Sequence, residues 1–282
     1  MKRLLLVCAP IVFAIAACSS DSVSPIQITA ADVSQAAAIS ASDATSEDIS
    51  IVTASDMTMS GGAVQNVASA GLMLSRTPLA APSYTWTFSD ACTYSSTTGR
   101  FTCPPITSGG LTLNRDYAFF DASNTAQSAY SASTTDSANF HVNVAGVHVV
   151  DTGADTVSRD RNLTVSGLLG AETQRTWNGT GTRNDGGYRQ GTDATRTYHV
   201  TDNVTINSVV VHLPRSSNPW PASGSITRHI VGTGSVMKSG LSKSFSIDKT
   251  VTVTFNGTEF VTMNIGTDTY TLDLATGTAT KN

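Results

Sequence analysis

The chemically equipped residues of this chain fall in a few short stretches. Asn184, Asp185 and Asp193 lie in "RNDGGYRQGTD", where amide and carboxylate oxygens on a glycine-rich loop have the hardness that calcium requires. Asp151, Asp155 and Asp160 make a second acidic stretch. Neither follows the EF-hand pattern, so a plain solvated turn stands beside calcium as the reading of each. The histidines, at 141, 148, 199, 212 and 229, lack the close spacing of a zinc pair on one element, and each is expected as a strand or surface residue. Trp220 sits between two prolines in "LPRSSNPWPASGSITR". There a rigid aromatic either anchors a sugar or a protein, or folds back over the open end of a sheet. No metal and no cofactor is expected.

Two further patterns resemble enzyme motifs. "VVDTGADTV", residues 149–157, resembles the active-site strand of retropepsin-type aspartic proteases. The resemblance implies Asp151 as the catalytic carboxylate, sharing a proton with a second Asp, with Thr152 and Gly153 in support. The chain holds a single Asp-Thr-Gly, so the pair would need two copies, and a hairpin turn is the preferred reading. Ser235 with Lys238, and Ser246 with Lys249, fit the Ser-x-x-Lys spacing of penicillin-binding enzymes. That chemistry needs a helix to bring Lys beside Ser, whereas both stretches read as strand or turn. The chain is therefore not expected to be an enzyme.

What must position these residues begins with the address of the chain. Lys2 and Arg3 precede an apolar run from Leu4 to Ala17, too short for the roughly 20 residues that cross a bilayer. The run reads as a signal peptide over 1–17. Ile15, Ala16, Ala17 and Cys18 resemble the lipobox of bacterial lipoproteins, which implies cleavage before Cys18 and acylation of it. Two or more acyl chains hold firmly, at roughly 0.8 kcal/mol per buried methylene, where one holds weakly. In that family Ser19, in place of Asp, directs the protein to the outer membrane, facing either the periplasm or the cell surface. The membrane is thus the first expected partner.

Cysteine usage agrees with export. With Cys8 in the signal and Cys18 lipidated, Cys92 and Cys103 remain as a disulfide across a turn-rich stretch, contributing on the order of 3 kcal/mol in the chain-entropy picture. The chain carries 17 Lys and Arg against 21 Asp and Glu, so no basic stripe is available to displace counterions from nucleic acid. Charged residues are only 13 % of the chain and Ser plus Thr about a quarter, a mix that suits polar, exposed strand faces.

Residues 18–25 read as a tether and 26–82 as an Ala- and Ser-rich segment, partly helical. A short helix is expected to begin at Thr29, with an irregular apolar stripe of Val33, Ala37, Ile39, Ala44 and Ile51. From 83 to 282 the signals are β: aromatic and β-branched runs such as "NFHVNV", "NLTV", "SVVVHL" and "KTVTVTF", parted by Gly, Asn and Pro. The expected fold is all-β, an antiparallel meander forming a sandwich or a wide curved sheet closing towards a barrel. Strand period 2 makes the C-terminus specific. Val251 and Val253 must share a face with Val261, Met263 and Ile265, which asks for an odd loop, taken as Phe255 to Gly257 with Gly257 left-handed and Val251 opposite Val261. The next loop must be even: Gly266-Thr267 as a type II′ turn places Met263 opposite Tyr270 and Val261 opposite Leu272.

These readings lead to a non-catalytic lipoprotein that binds another envelope component, a glycan or a protein. The alternatives are a carrier whose curved sheet encloses a hydrophobic ligand, and a protease using Asp151.

Overall fold

The computed structural model describes residues 29–59, 92–191 and 194–282. It opens with α1 (Ala30–Met59). Thr29 caps the helix as expected: its backbone N–H donates to Asp32 Oδ2 at 2.7 Å while its Oγ1 accepts the Asp32 N–H at 3.3 Å. The backbone bond from Thr29, and then the bond from its hydroxyl, hold the Asp32 carboxyl below the usual range. No helix among the described residues is long and apolar enough to cross a membrane.

The strands follow in chain order: β1 (Thr93–Ser95), β2 (Arg100–Thr102), β3 (Ile106–Ser108), β4 (Leu111–Asp121), β5 (Ala126–Gln127), β6 (Thr135–Val150), β7 (Gly153–Ser166), β8 (Gln174–Gln190), β9 (Ala194–His212), β10 (Ser223–Lys238), β11 (Leu241–Thr254), β12 (Phe260–Ile265), β13 (Asp268–Asp273) and β14 (Thr278–Lys281). All belong to one antiparallel sheet, ordered β1-β2-β4 and then β6 through β14 in sequence, with β3 and β5 on the flanks of β4. Nothing pairs β1 with β14, so the sheet is open: of the expected forms, the structure takes the single wide sheet and not two packed ones.

Alternation puts one face of this sheet inside. Register brings Phe140 beside Leu163, Val165 beside Trp177, Ile206 beside Ile226 and Val253 beside Met263, all buried. Towards β2 the core is aromatic: Phe101 stacks on Tyr117 at 4.8 Å between ring centroids, and Phe140 lies 5.8 Å from Trp177. The Cys92–Cys103 disulfide is formed just outside the β1-β2 hairpin, where Thr93 pairs with Thr102.

On the same inner face lies α1. It touches β7 through Arg159 at one side and, at the other, the β13-β14 turn, where Ser42 Oγ donates to the Gly277 carbonyl. Those strands are seven places apart in the sheet, about 34 Å if it were flat, against a helix about 10–12 Å wide. The sheet therefore curls around the helix. Small residues permit the close approach: Ala37, Ala38, Ala41, Ala44, Ser34, Ser40 and Ser42 are all buried.

At the C-terminus the faces match as expected, and Val251, Val253, Val261, Met263, Ile265, Tyr270 and Leu272 form one buried patch. Gly266 has φ +59° while Thr267 is not left-handed, the signature of type II′, and Met263 pairs with Tyr270. The preceding register differs: Val251 pairs with Ile265, not Val261, and the last pair is Thr254 with Thr262, so the connection runs over seven residues from Phe255 to Val261, the last two of which pair only with β13. Its length stays odd, so parity is kept. The cause is Phe255, which continues inward as a buried side chain. Its N–H donates to Gly224 O at 3.0 Å and that of Gly257 to Pro221 O at 2.9 Å, so the loop is held by the β9-β10 connection and does not close on itself.

Candidate functional site

The inner face carries charge as well as apolar side chains. Alternation that points Val157, Leu163 and Val165 inward from β7 also points Asp155, Arg159 and Arg161 inward. Likewise Arg183, Asp185 and Arg189 share the face of Trp177 on β8, Asp202 that of Val204 on β9, and Arg228 that of Ile230 on β10. Glycine makes room for them. A Cβ at Gly181 would lie 2.5 Å from Arg161 Cδ and 2.3 Å from the Asp160 carbonyl, so only a residue without one lets Arg161 lie across the sheet.

Four of these guanidiniums meet α1. Arg159 donates through Nη1 to Glu47 and through Nη2 to Asp185 Oδ2 at 2.6 Å. Arg183 Nε donates to the same Asp185 oxygen at 2.6 Å, and its Nη1 to Ser40 Oγ of the helix at 3.2 Å. Arg161 Nε donates to Asp48 Oδ1 at 2.7 Å, and its Nη1 to the carbonyls of Asp160 and Thr182, both at 2.8 Å. Arg228 donates to Asp48, to the helix carbonyl of Ala44 at 2.9 Å and to Asp202 Oδ1 at 3.0 Å. Arg159, Arg161, Arg183 and Arg228 thus face Glu47, Asp48, Asp185 and Asp202, four charges of each sign, all buried.

Burial alone would raise the Asp185 carboxyl, but the guanidiniums of Arg183 and Arg159 outweigh it and hold the group at about 2. The same reasoning keeps Arg159 charged: burial opposes its charge, and Glu47 and Asp185 more than restore it. Guanidiniums do not release protons and these carboxylates are locked to them, so the cluster positions α1; it is not built for acid–base work. Beside it, Asp155 accepts from Arg189 and from Tyr198 Oη at 2.8 Å, and burial followed by that carboxylate raises the Tyr198 hydroxyl above its ordinary value.

A second cluster lies on the outer face. His141, half-buried on β6, donates from Nδ1 to Asp116 at 2.9 Å and from Nε2 to Asp160 at 2.8 Å; Asp116 also accepts from Arg100. Only the imidazolium has two N–H groups to give. Burial lowers its pKa, but the bonds to Asp116 and Asp160 prevail and the net shift is upward. A folded-state pKa above the unfolded value of about 6.5 means a stabilisation fully present below pH 6.5 and lost as pH rises through the folded value. Urea titrations from pH 5 to 9 are therefore expected to show His141→Gln destabilised at pH 5 and level with wild type at pH 9. The difference stays below about 1 kcal/mol, because the side chains are 28–42 % exposed and solvent screens them. A difference that grew with pH would mean the neutral ring is the bound form.

The remaining residues singled out from sequence are not brought together. Asp151 and Thr152 form the exposed two-residue turn between β6 and β7, the hairpin preferred above. "RNDGGYRQ" is strand β8 and not a loop: Asn184 faces out while Asp185 faces in and holds two arginines, and Asp193 lies outside the described residues. Asp155 and Asp160 are likewise on opposite faces. Among the described residues no group of three His, Cys, Asp or Glu is arranged to hold a metal ion. Trp220 is half-buried in the β9-β10 connection, and Trp177 is core. His148 Nδ1 donates to the Gly109 carbonyl at 2.9 Å and His229 Nε2 to Asp248 at 2.9 Å, while His199 and His212 are exposed. Cys18 lies outside the described residues. Sequence reasoning missed Glu47, Asp48 and their arginine partners, although a signal existed: in β7 to β10 the charged residues other than Asp160 occupy the same parity as the inward apolar ones.

Compared with protein-family models, curated proteins and solved structures, the chain matches none.

Proposed function

We propose that the chain is a non-catalytic lipoprotein of the bacterial outer membrane, anchored by acyl groups on Cys18 and displaying a helix-filled β-sheet that binds another envelope component. The observation that carries the reading is the Ile15-Ala16-Ala17-Cys18 tetrapeptide after a short apolar run, followed eleven residues later by Thr29, the cap of α1. The Cys92–Cys103 bridge suits an oxidising compartment. From β7 to β14 the inner face, where a carrier would hold its ligand, is packed against α1 or tied to it by ion pairs. That favours binding through the outer face and the loops over carriage of a hydrophobic molecule inside.

The test is metabolic labelling with a palmitate analogue, with Cys18→Ser as control. The expected result is label on the wild-type chain in the outer-membrane fraction, and an unlabelled variant that retains its signal peptide or is released. A wild-type chain recovered without label, cut elsewhere than before Cys18, would overturn the anchor.

A further inference from the structure

Residues of β9, β10 and β11 form a groove of about 600 Å³ near the β8-β9 and β10-β11 turns. Its construction follows from register. Thr197, Ser235 and Ser244 are cross-strand neighbours on the outer face, and His199, Thr233 and Ser246 form the next outer row. Between the rows run Tyr198, Gly234 and Phe245, whose side positions belong to the inner face, so they offer backbone as a floor. Ser235 and Ser246, the serines of both Ser-x-x-Lys spacings, thus line one groove, while Lys238 and Lys249 fall on the opposite parity of their strands.

The walls are hydroxyls and one imidazole, with no carboxylate, ammonium or guanidinium among them. Thr197 and Ser235 share a hydrogen bond of 2.7 Å, which fixes two of the hydroxyls relative to each other. On β8 the first row continues into Tyr188, paired with Thr197 and 49 % exposed, and the second ends at Gly186, paired with His199. Gly186 leaves the strip between Tyr188 and His199 uncovered.

We infer that this strip is a binding site for a neutral linear oligosaccharide laid across β8 to β11, with one ring on the face of Tyr188 and its neighbours hydrogen-bonded to the Ser and Thr rows. Four strands span about 14 Å, the length of a short oligosaccharide. An aromatic face beside polar groups suits sugars, which present C–H patches and hydroxyls together. Absence of charge in the walls selects a neutral chain, because an acidic or basic ligand would give up its hydration without an ionic partner.

The inference deepens the binding half of the proposed function and is read in solution, apart from the anchor, so either can fail alone. The experiment titrates the full chain, in detergent, with β-1,4-linked glucose and N-acetylglucosamine oligomers and α-1,4-linked glucose oligomers of two to six units, and with oligogalacturonate as the charged comparison, following heats and amide shifts. Affinity for at least one series is expected to rise with length up to four units and then level. Tyr188→Ala and Gly186→Thr are each expected to weaken it by about tenfold or more. A Cβ at Gly186 meets nothing closer than 3.4 Å, so Gly186→Thr fills the strip without disturbing the sheet, and unchanged thermal melting of both variants checks this. No binding of any series at 10 mM (~10 mM being far above a useful sugar affinity), binding of oligogalacturonate alone, or wild-type affinity in both folded variants would each overturn the site.

Discussion

Asp48→Ala is expected to lower the stability of the protein by about 3–5 kcal/mol, read as a drop in the urea midpoint and in Tm. The size follows from what is left behind. Asp48 accepts from both Arg161 and Arg228, which are 1 % exposed, so one truncation strands two guanidiniums in the interior. Neither can shed its proton to escape the cost. Arg228 retains Asp202 and the Ala44 carbonyl, and Arg161 retains two sheet carbonyls, so hydrogen bonding survives in part while charge balance does not. Asp48→Asn separates the two effects. It keeps the shape and an acceptor oxygen, and its expected loss is nearly as large because the missing quantity is the negative charge. A loss below about 1 kcal/mol in both variants would mean that water reaches the arginines, contrary to their burial.

Much of the sheet could be read in advance because strand period 2 is a strict rule. Val261, Met263 and Ile265 had to share a face with Tyr270 and Leu272 whatever the loop did, and the type II′ turn at Gly266-Thr267 followed. Register before that turn was less legible, since parity admits loops of three or seven residues alike. What chose seven was the docking of Phe255 on Gly224 and of Gly257 on Pro221, each more than 30 positions earlier, contacts without local signature. The cap at Thr29 was visible because Thr favours the N-cap and the run after it is rich in Ala. The apolar part of the buried face of α1 was legible too, since Ala37, Ala44 and Ile51 of the expected stripe are buried, but its polar part was not, because Ser34, Ser40, Thr45, Glu47 and Asp48 read as solvent-facing to any rule that equates polarity with exposure. The partners of Ser40, Glu47 and Asp48 lie more than a hundred residues away; Glu47 and Arg159 are 112 apart. The sheet half of the cluster was nevertheless encoded locally. Arg159 and Arg161 sit on the parity of Val157, Leu163 and Val165, and Gly181 lies opposite Arg161, so a charge on the apolar face beside a glycine is the pattern that marks such a site.

The same cluster yields the second large effect, in the opposite direction. Replacing Asp48, Arg161, Arg228 and Asp202 together by Leu, Met, Met and Leu removes two charges of each sign and leaves Glu47, Asp185, Arg159 and Arg183, again balanced. Arg183 gives up only a 3.8 Å approach to Asp202. The quadruple variant is expected to recover all of the 3–5 kcal/mol lost by Asp48→Ala and to match or exceed wild type by up to about 4 kcal/mol, because buried ion pairs repay little more than their desolvation. Urea midpoints measure it. A quadruple variant as unstable as Asp48→Ala would show that attraction within the network exceeds the cost of burying it. With stability recovered, the reason for the charges becomes orientation: apolar side chains tolerate a helix rotated or slid by a turn, whereas Asp48 reaches Arg161 and Arg228 together in one placement of α1. Hydrogen exchange along α1 distinguishes the two, since a stable quadruple variant with protection lost or spread over a shifted set of helix amides has kept the packing energy and lost the register.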